Sequence, residues 1–97
     1  MREYEVTIIV PPQLDDEARA QLVERVSEWL APGAAQADKP VQHHWGQRPL
    51  AYPIKGFAEG YYVMYEAQVD PARIKDVERN LQFAEDVIRY LVVRKES

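Results

Sequence analysis

Four strand-like and two helix-like stretches, in the order β-α-β-β-α-β, predict an α+β fold. It is a ferredoxin-like, four-stranded antiparallel sheet with two helices on one face. Three observations carry that reading. Residues 2–10 and 61–69 alternate side chains with a period of two, as half-buried strands do. Residues 15–30 and 70–86 repeat apolar side chains at helical spacing, each behind an aspartate suited to cap a helix. The stretch 45–55 is strand-like yet holds Pro49 and Pro53, which donate nothing to a ladder and so belong on a sheet edge. In this topology the first and third strands are central, and the second and fourth are edges. The proline-bearing strand therefore falls on an edge unforced. The 97 residues make one domain, 1–97.

In the first strand Tyr4, Val6, Ile8 and Val10 lie on one side and Glu3, Glu5, Thr7 and Ile9 on the other. Pro11-Pro12 ends it. Asp15 is the expected N-cap of the first helix, and Asp16 and Glu17 set negative charge at the positive end of its dipole. Ala18, Leu22, Val26 and Trp29/Leu30 form the stripe, and Pro32-Gly33 stops the helix. Residues 34–40 are a weakly patterned connection. The second strand ends in a glycine-bounded loop, after which Gly60 is expected to open the third strand. There Tyr61, Val63, Tyr65, Ala67 and Val69 face one way and Tyr62, Met64, Glu66 and Gln68 the other. Asp70-Pro71 starts the second helix, striped by Ile74, Val77 and Leu81. The last strand runs from about Val87 to Arg94, with Ile88, Tyr90 and Val92 opposite Arg89, Leu91 and Val93. It runs antiparallel to the first, so Arg2 is expected near Arg94 and Lys95, as a basic corner.

Composition removes several function classes. The absence of cysteine excludes disulfides, thiol catalysis and cysteine metal sites. No apolar run reaches the ~18 residues of a membrane helix, and the N-terminus carries no apolar signal core, so cytoplasm is expected. The net charge of −4 is unevenly placed. Windows 15–30 and 70–86 hold two basic against five acidic side chains and three against five, a net of −5 that leaves +1 elsewhere. Gln42–Ala58 and Val87–Lys95 contain basic groups and no acid. Acid lies on the helices and base on the strands.

By alternation the open face of the sheet shows Ile9, Tyr62, Met64, Leu91 and Val93. A contiguous apolar patch of this kind marks a protein partner, against the plainer alternative of scattered surface hydrophobes. His43 and His44 are adjacent on a strand, so they point to opposite faces and do not chelate one metal. No third ligand, nucleophile elbow, phosphate-cradling glycine loop or carboxylate dyad accompanies them. No enzyme, cofactor, metal or small-molecule substrate is expected. A second reading, a self-associating regulatory module that binds a small molecule, accounts for the apolar face. It leaves the acid-free basic edge strands without a role.

Trp45-Gly46-Gln47-Arg48, Leu50-Ala51-Tyr52-Pro53-Ile54-Lys55 and Glu59-Gly60-Tyr61-Tyr62 resemble the core signature of the bacterial small-ribosomal-subunit protein S six family. Met1-Arg2-Glu3-Tyr4-Glu5, Leu14-Asp15 and Val87–Arg94 extend the resemblance over essentially the whole chain. It implies the fold derived above and no catalytic activity. It also implies binding to the central domain of small-subunit rRNA on the ribosome, cooperatively with protein S eighteen. Carried onto matching positions, it implies rRNA-facing cations at Arg2, Arg48, Lys55, Arg89 and Arg94. Tyr52 and Phe57 are candidates for stacking on unpaired bases or, alternatively, for packing. Three positions depart from the family pattern: Pro49 replaces a usual second cation, Gly56-Phe57 a commonly basic loop, and His43-His44 a usual acidic pair.

Overall fold

The computed structural model describes residues 1–95. Its elements are β1 (Arg2–Val10), α1 (Asp16–Leu30), β2 (Val41–Ile54), β3 (Phe57–Val69), α2 (Ile74–Phe83) and β4 (Arg89–Arg94). Short 3-10 turns, Gln36–Asp38 and Pro71–Arg73, precede β2 and α2. The sheet order is β2-β3-β1-β4 with every neighbouring pair antiparallel, so the expected ferredoxin-like architecture and its central and edge strands are observed.

Alternation decides which side chains meet the helices. Tyr4, Val6, Ile8 and Val10 of β1 and Val63, Tyr65, Ala67 and Val69 of β3 form the floor of the core. Leu22, Val23, Val26 and Leu30 of α1 and Val77 and Leu81 of α2 close over it. Each fully buried side chain of this size stabilises the fold by about 1.5–3 kcal/mol relative to exposure. Tyr65 is a phenol in that core and is tolerated because its hydroxyl donates to the Val23 carbonyl at 2.9 Å. Burial pushes its pKa up from the ordinary phenol value.

The helix ends follow the sequence. Asp15 accepts from the Ala18 N–H at 2.7 Å and Asp70 from the Ala72 N–H at 3.0 Å. The Asp70 cap opens the 3-10 turn, and α2 proper begins only at Ile74. Helix α1 has no basic residue in its own last turn. Arg73 supplies one from the other side of the fold, donating to the Trp29 and Leu30 carbonyls at 2.7 and 3.4 Å.

Two local expectations are corrected. The third strand opens at Phe57 rather than Gly60, because Lys55 and Gly56 adopt φ of 51 and 83 and close a two-residue hairpin turn. The anticipated loop is therefore ladder. The expected basic corner is split: Arg2 and Arg94 lie on the helix side of the sheet, and Lys95 turns to the open face, where acids compensate it. The Lys95 N–H donates to the Glu3 carbonyl, while Lys95 Nζ lies 3.6 Å from Glu3 and 3.4 Å from Glu66.

Candidate nucleic-acid interface

The site is built by two irregularities in the β2–β3 ladder. His44 pairs with Val63 and Gly46 with Tyr62, so Trp45 is one extra residue, a β-bulge, with Gly46 taking φ 84 beside it. Farther along, Pro49 pairs with Glu59 and Ile54 with Phe57, so Leu50–Pro53 stand against a single residue and arch out of the ladder. Regular pairing between the two irregularities sets Arg48 opposite Gly60, on the face of the sheet away from the helices.

Trp45 turns onto that same face. Its ring stacks on Tyr62 with centroids 6.5 Å apart and planes at 18°. The Arg48 guanidinium lies 5.8 Å from the Trp45 ring centroid, and its Nε donates to the Trp45 carbonyl at 3.3 Å. The arched segment brings Tyr52 to the far edge of the sheet, where its hydroxyl accepts from Arg89 Nη1 at 2.8 Å. Lys55, at the hairpin turn, lines a cleft of about 210 Å³ with Leu81, Val87, Ile88 and Arg89. Arg48, Lys55, Arg89, Trp45 and Tyr52 thus gather at one end of the molecule.

Arg2 and Arg94 do not join them. Arg2 pairs with Val69 and Arg94 with Tyr4, which places both on the helix side at the opposite end of β1. Arg94 lies five positions along β4 from Arg89, about 17 Å of strand. Both outlying arginines are exposed. The five candidate cations therefore form a group of three and a group of two on different faces.

Of the candidate partner surface, Leu91 and Val93 are 59% and 43% exposed, and Tyr62 and Met64 are half-buried. Ile9 differs from expectation: it is buried, with Tyr62 and Arg89 as cross-strand neighbours and its Cγ2 packed against the bare Cα of Gly60. Tyr52 is exposed and Phe57 half-buried, so the two stacking candidates part company. Trp45 and Val41, both exposed, belong to this face although alternation alone did not mark them. The Trp-Gly pair was the available signal for Trp45, since a glycine inside a strand commonly marks a bulge.

The histidines separate as expected. His43 Nε2 lies 2.8 Å from a Glu66 carboxylate oxygen on the open face, while His44 Nδ1 lies 3.0 Å from the Tyr61 hydroxyl on the helix side. Hydrogen bonds from His43 first, and then Lys95, hold the Glu66 carboxyl below its ordinary range. The bond to Glu66, with the nearby Glu3 charge, raises Lys95. Among the described residues no group of three or more His, Cys, Asp or Glu could hold a metal ion, and no helix is long and apolar enough to cross a membrane.

Fold and site together define a small ferredoxin-like domain whose open sheet face carries arginines and exposed aromatic rings. Comparison with known proteins narrows this. The family described as Ribosomal protein S6 matches residues 3–94. Small ribosomal subunit protein bS6 of Moorella thermoacetica is 38% identical over 97 residues, covering 100% of this chain and 97% of that protein. Its counterpart in Fusobacterium nucleatum is 36% identical over 99% of this chain and 100% of its own length. The crystal structure of 30S ribosomal protein S6 from Thermotoga maritima superposes with a TM-score of 0.85 at 29% identity, over 97% of this chain and 87% of that one. The chain belongs to the ribosomal protein S6 family.

Proposed function

We propose that this protein is a non-catalytic component of the small ribosomal subunit in the cytoplasm, binding the central domain of its rRNA together with protein S eighteen. The observation that carries the reading is the gathering of three cations and exposed aromatic rings at one end of the sheet. Arg48, Lys55 and Arg89 meet the exposed rings of Trp45 and Tyr52 there, and strands β2 and β4 contain no acid, while the residue windows 15–30 and 70–86 around the helices are net acidic. Arginine engages phosphate with a planar fork and Lys55 acts as a point charge. Such contacts position a protein on RNA without reading sequence. Leu91 and Val93, with Tyr62 and Met64 beside them, offer an apolar patch that a protein partner would cover.

The test is a titration of a central-domain rRNA junction with protein S eighteen, in the presence and absence of this chain. The pair is expected to bind more tightly than protein S eighteen alone, and equal affinity refutes the reading. The salt dependence then separates the cation groups. At about 0.9 per neutralised phosphate in a duplex, contacts from Arg48, Lys55 and Arg89 alone add about 2.7 to the log–log slope, and all five cations about 4.5. Self-association through the Leu91–Val93 face is the competing outcome, recognised by a homodimer without rRNA affinity.

A further inference from the structure

Trp45 has no task in the fold. It lies outside the buried core and is 45% exposed, on the one extra residue of the β2 bulge. Bulges re-aim side chains, and this one turns the indole onto the open face over Tyr62. Leaving so large a ring half in water forgoes hydrophobic free energy that a ligand's burial would recover.

Its surroundings decide what kind of ligand that is. The Arg48 guanidinium lies 5.8 Å from the ring centroid, and Arg89 and Lys55 stand at the same end of the sheet. Strand β2 contains no carboxylate from Val41 to Ile54. Of the acids on the open face, Glu66 is engaged by His43 and Lys95 and Glu3 by Lys95, and Glu5 lies farther along β1, opposite Glu66 and Val93, while Glu59 accepts from Gln47 at 2.7 Å. An exposed indole beside guanidinium groups that no carboxylate of the described residues engages fits a ligand that is planar and anionic at once. An unpaired nucleotide is such a ligand, because bases stack on aromatic rings and guanidinium planes while phosphates take the charge. From these contacts we infer that Trp45 is a stacking platform for an unpaired rRNA base, with Arg48 holding an adjacent phosphate. The inference rests on the rRNA-binding reading above and adds a residue and a contact type to it. Tyr62 fixes the tilt of the indole from behind, so the platform is formed before RNA arrives.

The experiment uses the Trp29→Phe variant, which leaves Trp45 as the only tryptophan of the chain, and a tryptophan-free protein S eighteen. Emission is followed first on adding protein S eighteen and then on adding a central-domain rRNA junction. Trp45 is expected to be quenched on adding the RNA beyond any change that protein S eighteen causes, since Tyr62, on which it stacks, borders the patch given to the protein partner. In binding titrations Trp45→Leu is expected to weaken RNA affinity about five- to hundredfold. Trp45→Phe, which keeps a stacking ring, recovers most of the affinity, and an unchanged urea midpoint in both variants shows that the fold is intact. Quenching that is complete with protein S eighteen and does not change further on adding RNA would overturn the inference in favour of a protein contact. Unquenched emission on RNA binding, or equal affinity of Trp45→Leu, would remove the platform and leave the rRNA reading standing. Failure of the unsubstituted pair to bind the RNA ends both.

Discussion

Gly60 decides how the β2–β3 hairpin sits against the centre of the sheet, and Gly60→Ala tests that. A methyl group built at Gly60 overlaps Ile9 Cγ2 and comes 3.3 Å from the Val10 carbonyl oxygen. The backbone itself is no obstacle, since Gly60 is not among the glycines with positive φ. Two terms therefore compete. Alanine relieves the conformational cost of glycine in a strand, about 0.5–1 kcal/mol. Overpacking costs about 1–3 kcal/mol, because Ile9 is β-branched, buried, and has to turn χ1 to clear the new methyl. The clash should win, with a net loss of about 1–2 kcal/mol, or several degrees in Tm for a domain of this size. The control is the same substitution in an Ile9→Ala background. There the nearest Ile9 atom that survives is Cβ at 3.8 Å, an ordinary contact. Urea unfolding of the four proteins gives a double-mutant cycle, and a coupling of about 1 kcal/mol or more is expected. Equal cost of Gly60→Ala in both backgrounds, or a variant as stable as the parent, refutes the reasoning. The effect should reach the site, since Arg48 is the cross-strand partner of Gly60.

Arg73→Met removes both donors to the Trp29 and Leu30 carbonyls, so stability should fall by about 1–2 kcal/mol, with faster amide exchange in the last turn of α1; unchanged exchange there contradicts the capping role. Tyr65→Phe keeps the ring and loses one hydrogen bond, at a cost of about 1 kcal/mol in urea unfolding. Because burial raises the folded pKa of Tyr65, the linked stability is present below the ordinary phenol pKa and is lost as pH rises beyond it; an alkaline absorbance titration should show one tyrosine silent until unfolding. Glu66 works in the opposite sense. Its folded pKa is depressed, so its contribution is present above the ordinary carboxylate pKa and lost as pH falls through the folded value. Glu66→Gln should flatten the acid limb of the stability curve, and His43→Gln should return the Glu66 titration, followed by NMR, towards the ordinary range.

Period-two alternation was enough to place Val6, Ile8, Val63 and Tyr65 in the core, because a strand has only two faces and one was apolar. Asp15 and Asp70 announced their helices because capping chemistry is local. What stayed hidden was whatever depends on register between distant segments. The sequence places Lys95 in a basic corner with Arg2 and Arg94, yet it is paired with Glu3 and Glu66, which only the β1–β4 and β1–β3 registers bring together. Ile9 looked like surface because alternation gives a face and not what lies over that face. The family resemblance groups five cations, whereas the parity of Arg94 against Arg89, already legible in the alternation of the last strand, sets those two on opposite sides of β4. The bulge at Trp45 and the arch from Leu50 to Pro53 break the alternation on which the reading depends, and the candidate site lies there.

That coincidence has a physical reason. A long edge strand offers a row of unpaired N–H and C=O groups to any other strand, and natural edges are blunted by prolines, bulges and charge. Strand β2 has all three. Pro49 has no N–H, the Trp45 bulge and the Leu50–Pro53 arch interrupt the ladder, and Arg48 stands between them. Each device that spoils the edge for pairing also moves a side chain out of regular register. Trp45 is turned onto Tyr62, Tyr52 is carried across to Arg89, and Arg48 is held over the indole. Edge protection and ligand presentation are therefore produced by the same irregularities. A substitution that restored regular pairing in β2 would improve the ladder and dismantle the interface together.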